Sequence, residues 1–384
     1  MSAPGDPQGF VSLSANMGIK DTTLDFLLLA STVPATSAAV FTQSRFAGPS
    51  VEISRDVASG GHGRAIAVIS KNANVACGDA GRHDAALFQQ RAAAMAGMEP
   101  REMFIASTGV IGRRYPVKVI ERYFDSTEFD ADAADFDRAA EAIMTTDTHP
   151  KVVRTTAGSA SLVGIAKGVG MIEPDMATML AFIFTDAEID GDALDGIFRR
   201  VVARTFNALS IDTDTSTSDS AIVIANGVAG PVDHGDFEAA LDEVALGLVR
   251  MIAADGEGAS KTIEASVRGA HDVAQAKRIA KLIVNSPLVK TAVHGADPNW
   301  GRIAMAIGKS NDTAIDQDRV AISIGGVAMY PPAAGEAELA AAAAHMRGDV
   351  TIIGVDLGVG SAAFTAFGCD LTAGYVRINA DYTT

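Results

Sequence analysis

Only two cysteines, Cys77 and Cys369, occur in 384 residues. Two are too few for a disulfide framework and lack the spacing of a zinc site, so both are expected as buried, reduced thiols. No apolar stretch approaches the ~20 residues that a membrane helix needs. Met1 to Phe10 has neither the basic start nor the apolar core of a secretory signal. Positive charge is scarce as well, with 31 Lys+Arg against 47 Asp+Glu and a formal net charge of −16. So acidic a surface repels phosphate backbones and anionic lipid, which excludes nucleic acid and membranes as expected partners. A cytoplasmic protein is the expectation.

What is present is an ordinary globular composition. Hydrophobic residues make up 48% and charged ones 20%, which excludes a disordered chain. The length allows one large or two medium domains with a substantial core. Short apolar runs read as strands at Ala65–Ser70, Met103–Ala106, Lys151–Thr155, Ser161–Ala166, Ala221–Ala225, Val320–Ile324 and Val350–Val355. Helical periodicity marks His83–Gly97, Pro116–Tyr123, Phe136–Met144, Leu194–Leu209, Phe237–Ala254, Val273–Val284 and the alanine-rich Glu336–Met346. Lys151–Thr155 and Ser161–Ala166 follow each other without a helix. The pattern therefore predicts mixed sheets between helical layers rather than a doubly wound parallel sheet. There is no internal repeat, linker or low-complexity tract.

Lys167 to Asp186 reads KGVGMIEPDMATMLAFIFTD and carries most of the chemistry. A glycine-rich turn (Gly168, Gly170) leads through Pro174 to Ala177-Thr178. The short apolar run Met179–Phe184 that follows reads as a buried strand. Thr178 then sits where a loop enters the core, a rigid place for a nucleophile, although a threonine hydroxyl needs a base beside it. Cutting the chain before Thr178 would supply one, because the new α-amine titrates near pH ~8 against ~10.4 for lysine. Spacing alone favours the plainer alternative of an ordinary loop-to-strand junction.

Other segments have two readings each. Thr108-Gly109 ends the run Met103–Ala106 in a turn, where a hydroxyl and a glycine N–H could hold an oxyanion. A plain glycine turn is the commoner meaning. Lys167 could meet a substrate carboxylate or be a solvated loop lysine. Asp212, Asp214 and Asp219 lie in an oxygen-rich stretch that lacks the glycine and distal glutamate of a calcium loop, so a hydrogen-bonded polar loop is expected and no metal site. Gly308-Lys309-Ser310 mimics the end of a phosphate loop, but Ile303 stands where the first glycine is required. Gly358-Val359-Gly360 has dinucleotide-loop spacing with Ala363, yet Phe364–Phe367 reads as strand. The seven histidines are scattered, and none, His294 included, is assigned a catalytic role.

The Lys167–Met179 string resembles the cleavage-site motif of the ornithine acetyltransferase (glutamate N-acetyltransferase) family of arginine biosynthesis. There the precursor cuts itself between Ala and Thr of K-G-x-G-M-x-x-P-x-M-A-T-M. Lys167, Gly168, Gly170, Met171, Pro174, Met176, Ala177, Thr178 and Met179 match it. The likeness runs through Pro34-Ala35-Thr36, Asn72-Ala73-Asn74, Ser107–Gly112, Thr145–Thr148, Asp255–Gly258, Ser286–Ala292, Asp297–Arg302 and Asn379–Thr384, essentially the whole chain. Within the family it resembles the branch associated with clavulanic acid biosynthesis. It departs from the common motif in having Val169 for Ser and Glu173-Pro174-Asp175-Met176 for Ala-Pro-Asn-Met.

The resemblance implies an α/β (α+β) sandwich of helix, sheet, sheet and helix layers, like that of N-terminal-nucleophile enzymes, with a smaller C-terminal domain. It implies self-cleavage between Ala177 and Thr178 into residues 1–177 and 178–384, with two copies of each fragment in a heterotetramer. It implies double displacement, in which Thr178 takes acetyl from N-acetylornithine and passes it to glutamate without a cofactor. Thr108 and Gly109 would stabilise the oxyanion. Thr145, Lys167, Thr178, Glu257, Asn379 and Thr384 would contact substrate. Two rivals stand beside this: an amidase or aminopeptidase of the same chemistry with water as acceptor, and an uncut nucleotide-binding protein using the Gly308-Lys309-Ser310 turn.

Overall fold

Runs of β-branched, aromatic and alanine residues buried on both faces build two stacked sheets. The structure is a computed structural model and describes residues 5–130, 133–173 and 179–381. In chain order the first part runs β1 (Phe10–Ala15), β2 (Phe26–Ser31), β3 (Thr36–Phe41), α1 (Pro49–Gly60), β4 (Ala65–Asn72) and α2 (Gly78–Met95). β5 (Met103–Val110), α3 (Val117–Ser126), α4 (Phe136–Ile143), β6 (Lys151–Ala157) and β7 (Ala160–Lys167) follow. Beyond the glycine turn come β8 (Leu180–Glu188), α5 (Gly191–Arg204), β9 (Ser220–Pro231) and α6 (His234–Ala254). The last part holds β10 (Thr262–Ala270), α7 (Val273–Val284), α8 (Pro287–His294), α9 (Trp300–Gly308), β11 (Ala321–Ile324) and β12 (Val327–Tyr330). It ends with α10 (Glu336–Met346), β13 (Val350–Asp356), β14 (Ala362–Cys369) and α11 (Ala373–Asp381).

One sheet has the order β1-β2-β4-β5, the second β3-β9-β8-β7-β6. Their inner faces share one apolar core, in which Phe10 of the first meets Phe184 of the second edge-on with ring centroids 5.5 Å apart. α1 and α4 are wedged into that core at its margins. α2 and α3 cover the outer face of the first sheet, α5 and α6 that of the second. The helix–sheet–sheet–helix layering expected above is therefore the fold. The C-terminal sheet, five strands in the order β12-β11-β13-β10-β14, packs with α7 and α9 and joins the core under α6.

Register brings the interesting residues to one end of the stack. In the parallel pair β4–β5, Ser70 and Lys71 stand opposite Thr108 and Gly109. In β7–β8, Lys167 stands opposite Leu180, and Leu180 pairs in turn with Ser220 of β9. The ends of β5 and β7 and the starts of β8 and β9 thus surround one opening.

Several boundaries differ from the sequence expectation. α2 begins at Gly78, ahead of His83, because Gly78 adopts φ +62 and Cys77 sits just before the first turn. Cys369 is buried as expected, but Cys77 is only half-buried there, its thiol donating to the Val75 carbonyl at 3.3 Å. Leu194–Leu209 is two elements: α5 starts at Gly191, where the Asp190 carboxylate caps Asp192 and Ala193 N–H, and stops at Arg204 before a single tight turn. The strands β1 to β3, β10 and β12 and the helices α1, α8, α9 and α11 were not singled out by periodicity. Lys309 and Ser310 fall at the C-terminal end of α9, where carbonyls and not N–H groups face outward, so a phosphate cradle is ruled out there. No helix among the described residues is long and apolar enough to cross a membrane.

Candidate active site

The opening leads into a cavity of about 250 Å³. Thr108, Gly109, Thr145, Lys167, Glu257 and Asn379 all line it, although they come from five separate segments of the chain. Met179, the residue that follows Thr178, also lines it. Ala177, Thr178 and Thr384 lie outside the described residues.

Gly109 is required by its backbone. It adopts φ +132, and a Cβ built there would stand 2.1 Å from both the carbonyl carbon and oxygen of Lys71. Behind Thr108, Tyr115 donates to the Ser107 hydroxyl at 2.6 Å, and Ser107 reaches the Ala73 carbonyl at 3.2 Å. Asn72 holds the same turn, donating to the Arg114 carbonyl at 2.8 Å while accepting from Asn74 N–H at 3.0 Å. A hydroxyl and an N–H at the end of β5 are thus held in a rigid frame.

Three loops around the cavity are tied by a buried cation. Lys151, fully buried, donates to Asp147 at 2.8 Å and to Asp255 at 2.6 Å. Asp147 also accepts from Thr145 N–H at 3.0 Å and Gly168 N–H at 2.7 Å. Asp255 accepts from Thr148 N–H at 3.1 Å and from the Thr148 hydroxyl. Burial alone would raise Asp147, but Lys167 and Lys151 outweigh it and hold the carboxyl at about 2. Lys167, at the end of β7, is buried, and desolvation lowers its ammonium below the usual lysine range against the pull of Asp147, Asp219 and Glu257. Lys20 is pushed down to about 8 by burial, with Asp25 opposing and Lys167 adding to the shift. Its ammonium donates to the Leu24 and Met144 carbonyls at 2.9 and 2.7 Å, fixing the chain just ahead of Thr145.

Glu257 faces the glycine turn. Its N–H donates to the Val169 carbonyl at 2.8 Å, and a Cβ on Gly170 would lie 2.5 Å from its carboxylate, so Gly170 makes room for the acid. Asn379, on α11, donates to Glu257 Oε2 at 2.8 Å, and Thr146 to Oε1 at 3.5 Å. Gly258 packs so tightly under α11 that a Cβ would stand 2.4 Å from Tyr375 N. Tyr375 is raised to about 12 by burial and by Asp212 and Glu257 nearby, and its hydroxyl lies 3.4 Å from Asp212. The Asp212–Asp219 stretch is a hydrogen-bonded loop in which Asp212 accepts from Met171 and Ile172 N–H at 2.7 and 2.8 Å.

Sequence reading expected Asp212 in a hydrogen-bonded loop but missed the rest of the group that holds this cavity together: Asp147, Lys151, Asp255, Tyr375 and Lys20. Asp147 and Asp255 did fall inside matched motifs. Lys151 carried no signal, since a lysine at the start of a strand reads as a surface residue. His294 meets Asp370 at 2.9 Å and Ser260 at 3.3 Å through one and the same nitrogen, Nδ1. A nucleophilic triad needs two different ring nitrogens, so this group is structural.

The arrangement suits acyl transfer to and from amino-acid-like molecules: a framed hydroxyl and N–H, a desolvated ammonium, and a carboxylate able to receive an amine. The ArgJ family model matches residues 12–384. The chain is 57% identical to glutamate N-acetyltransferase Oat2 of Streptomyces clavuligerus over 390 aligned residues, covering 100% of this chain and 99% of the relative. It is 54% identical to arginine biosynthesis bifunctional protein ArgJ 2 of Nostoc sp., with 100% of both chains covered. A crystal structure of the ArgJ protein of Bacillus halodurans shares 40% identity at a TM-score of 0.49, covering 51% of this chain and 96% of that one. The chain belongs to the ArgJ family and is an acyltransferase.

Proposed function

We propose that this enzyme cuts itself before Thr178 and then moves acetyl groups from N-acetylornithine to glutamate through an ester on Thr178. The observation that carries the reading is the single cavity onto which all six described candidates converge, with Met179 at its edge. In the first step Thr178 Oγ attacks the Ala177 carbonyl carbon and the bond to Thr178 N breaks. Water hydrolyses the ester, which leaves an Ala177 carboxylate and a free α-amine on Thr178. That amine then serves as base. Oγ attacks the acetyl carbonyl, its proton passes to the amine, and ornithine leaves carrying that proton. The α-amine of glutamate attacks the acetyl ester, N-acetylglutamate departs, and Oγ recovers its proton. Thr108 and Gly109 N–H stabilise the oxyanion in each half-reaction, and Glu257 with Asn379 receives the substrate amine.

Cleavage would yield fragments of 177 and 207 residues, which together make up the 384. They would not separate. The second sheet has the order β3-β9-β8-β7-β6, so β8 and β9 of the later fragment lie between β3 and β7 of the earlier one. Intact-mass analysis should find both fragments in one native particle, and sedimentation should give a mass of two copies of each. A single uncut chain, or a clean monomer, contradicts the respective claim.

Thr108→Ala removes one oxyanion donor and leaves the Gly109 N–H. Losing one such donor costs ~3 kcal/mol in the transition state, about a hundredfold in turnover, with KM little changed. Steady-state transfer from N-acetylornithine to glutamate checks this, and wild-type turnover in the variant overturns the assignment. Acetate released without glutamate would identify water as the acceptor instead.

A further inference from the structure

The peptide that runs up to the cleavage position is held at its last described residues. Ile211 N–H donates to the Ile172 carbonyl at 2.7 Å, and Glu173 N–H to the Asp214 carbonyl at 2.8 Å. Thr215 Oγ1 donates to the Glu173 carbonyl at 3.2 Å. With the Asp212 carboxylate on Met171 and Ile172 N–H, this makes a short antiparallel pairing of residues 171–173 with the 211–215 loop. Those contacts are almost all to backbone and would survive any side chain at position 173.

The Glu173 side chain adds a contact of a different kind. Its Oε2 accepts from the Ser210 hydroxyl at 3.0 Å and from Asn285 Nδ2 at 2.6 Å. Asn285 is the residue that ends α7, so the carboxylate ties this peptide to the C-terminal domain as well as to the neighbouring loop. Only Pro174, Asp175 and Met176 separate Glu173 from Ala177.

We infer that Glu173 is a positioning residue for self-cleavage, its carboxylate pinning the peptide ahead of the cut to Ser210 and Asn285. The inference rests on the self-cleavage proposed above. An intramolecular attack is fast only when the reacting atoms are held near each other, and an unpinned segment must be ordered again at every attempt. Two charge-assisted hydrogen bonds to a partly buried carboxylate shift that balance towards the ordered form. Glu173 is not among the described residues that line the acetyl-transfer cavity, so its loss should fall on cutting and not on transfer.

The test follows cleavage of pulse-labelled full-length chain made by cell-free synthesis, for wild type, Glu173→Ala, Glu173→Gln, Asn285→Ala and the Glu173→Ala/Asn285→Ala pair. Glu173→Ala should cut about tenfold more slowly, the loss expected for hydrogen bonds to a charged group. Glu173→Gln keeps an oxygen that can accept from both donors and should recover most of the rate. Asn285→Ala should slow cutting less, and the pair should be no slower than Glu173→Ala alone, because the two remove one shared interaction. Turnover per cleaved molecule should stay within about twofold of wild type in the Glu173 variants, since only the cutting step is affected. A wild type that cuts beside a Glu173→Ala that cuts equally fast overturns the inference. So does a Glu173→Ala whose transfer rate and melting temperature fall along with cutting, which would mean a general loss of structure. A wild type that never cuts removes the proposed cleavage itself, a distinct result.

Discussion

Thr178→Ala is expected to give one uncut chain of 384 residues that neither cleaves nor transfers acetyl. Removing the hydroxyl removes the attacking atom of both reactions, and the framed donors at Thr108 and Gly109 have no oxyanion to hold. Transfer should fall by on the order of 10⁴ or more, as when a covalent nucleophile is deleted elsewhere. Because the variant is also uncut, lost transfer alone would not separate a missing nucleophile from a missing amine. Thr178→Ser makes the separation. It keeps a hydroxyl and should both cut and form an acetyl ester that mass spectrometry detects on the new N-terminal residue. Cleavage in Thr178→Ala, or substantial transfer by it, would rule out the covalent scheme.

The largest stability effect is expected at Lys151. Its ammonium is enclosed between Asp147 and Asp255, and replacing it by Met leaves two buried carboxylates without the cation that bridges them. Breaking one side of a buried ion pair costs about 3–5 kcal/mol. The measurement is urea unfolding in the uncut Thr178→Ala chain, so that unfolding stays unimolecular. The pH dependence has a definite sign. Asp147 falls from 3.8 to about 2 on folding, so its contribution is fully present above pH 3.8 and is lost as the pH drops towards 2. A shift of that size amounts to about 2 kcal/mol. Without Lys151, Asp147 loses one of the two cations that hold it down and binds a proton more readily, so the gap between variant and parent should narrow as the pH falls from 8 to 5. A gap below about 1 kcal/mol at neutral pH would mean that the charges are solvated and the loops are held by other contacts.

A helix read by periodicity, such as Val273–Val284, matched its observed bounds because a 3.6-residue repeat of apolar side chains is a local property. The apolar runs at β4, β5 and β7 are strands as well, but each strand outlasts its run: β4 continues to Asn72, β7 spans Ala160–Lys167, and β5 continues to Val110, so Thr108 and Gly109 lie in the strand and not in a turn after it. The elements that periodicity passed over carried other local signals. Ser286 followed by Pro287 is an N-cap and first-turn proline, and the Ser286 hydroxyl indeed accepts from Val289 N–H. Phe26–Ser31 is a plain apolar run too short to be told from a helix segment.

From the sequence by itself came mixed sheets between helical layers and, through the resemblance, the acyltransferase family and six of the residues that line the cavity. Tertiary structure decided how they meet. Thr145 and Glu257 come into one cavity because a single buried lysine, silent in the sequence, draws Asp147 and Asp255 together across 104 residues of chain on one side and a four-residue loop on the other. Glu173 has its partners at Ser210 and Asn285 for the same reason. A chain pattern records which faces are apolar, but a buried polar contact is set by which distant loops the packed sheets bring within 3 Å, and that is fixed only once the core has formed.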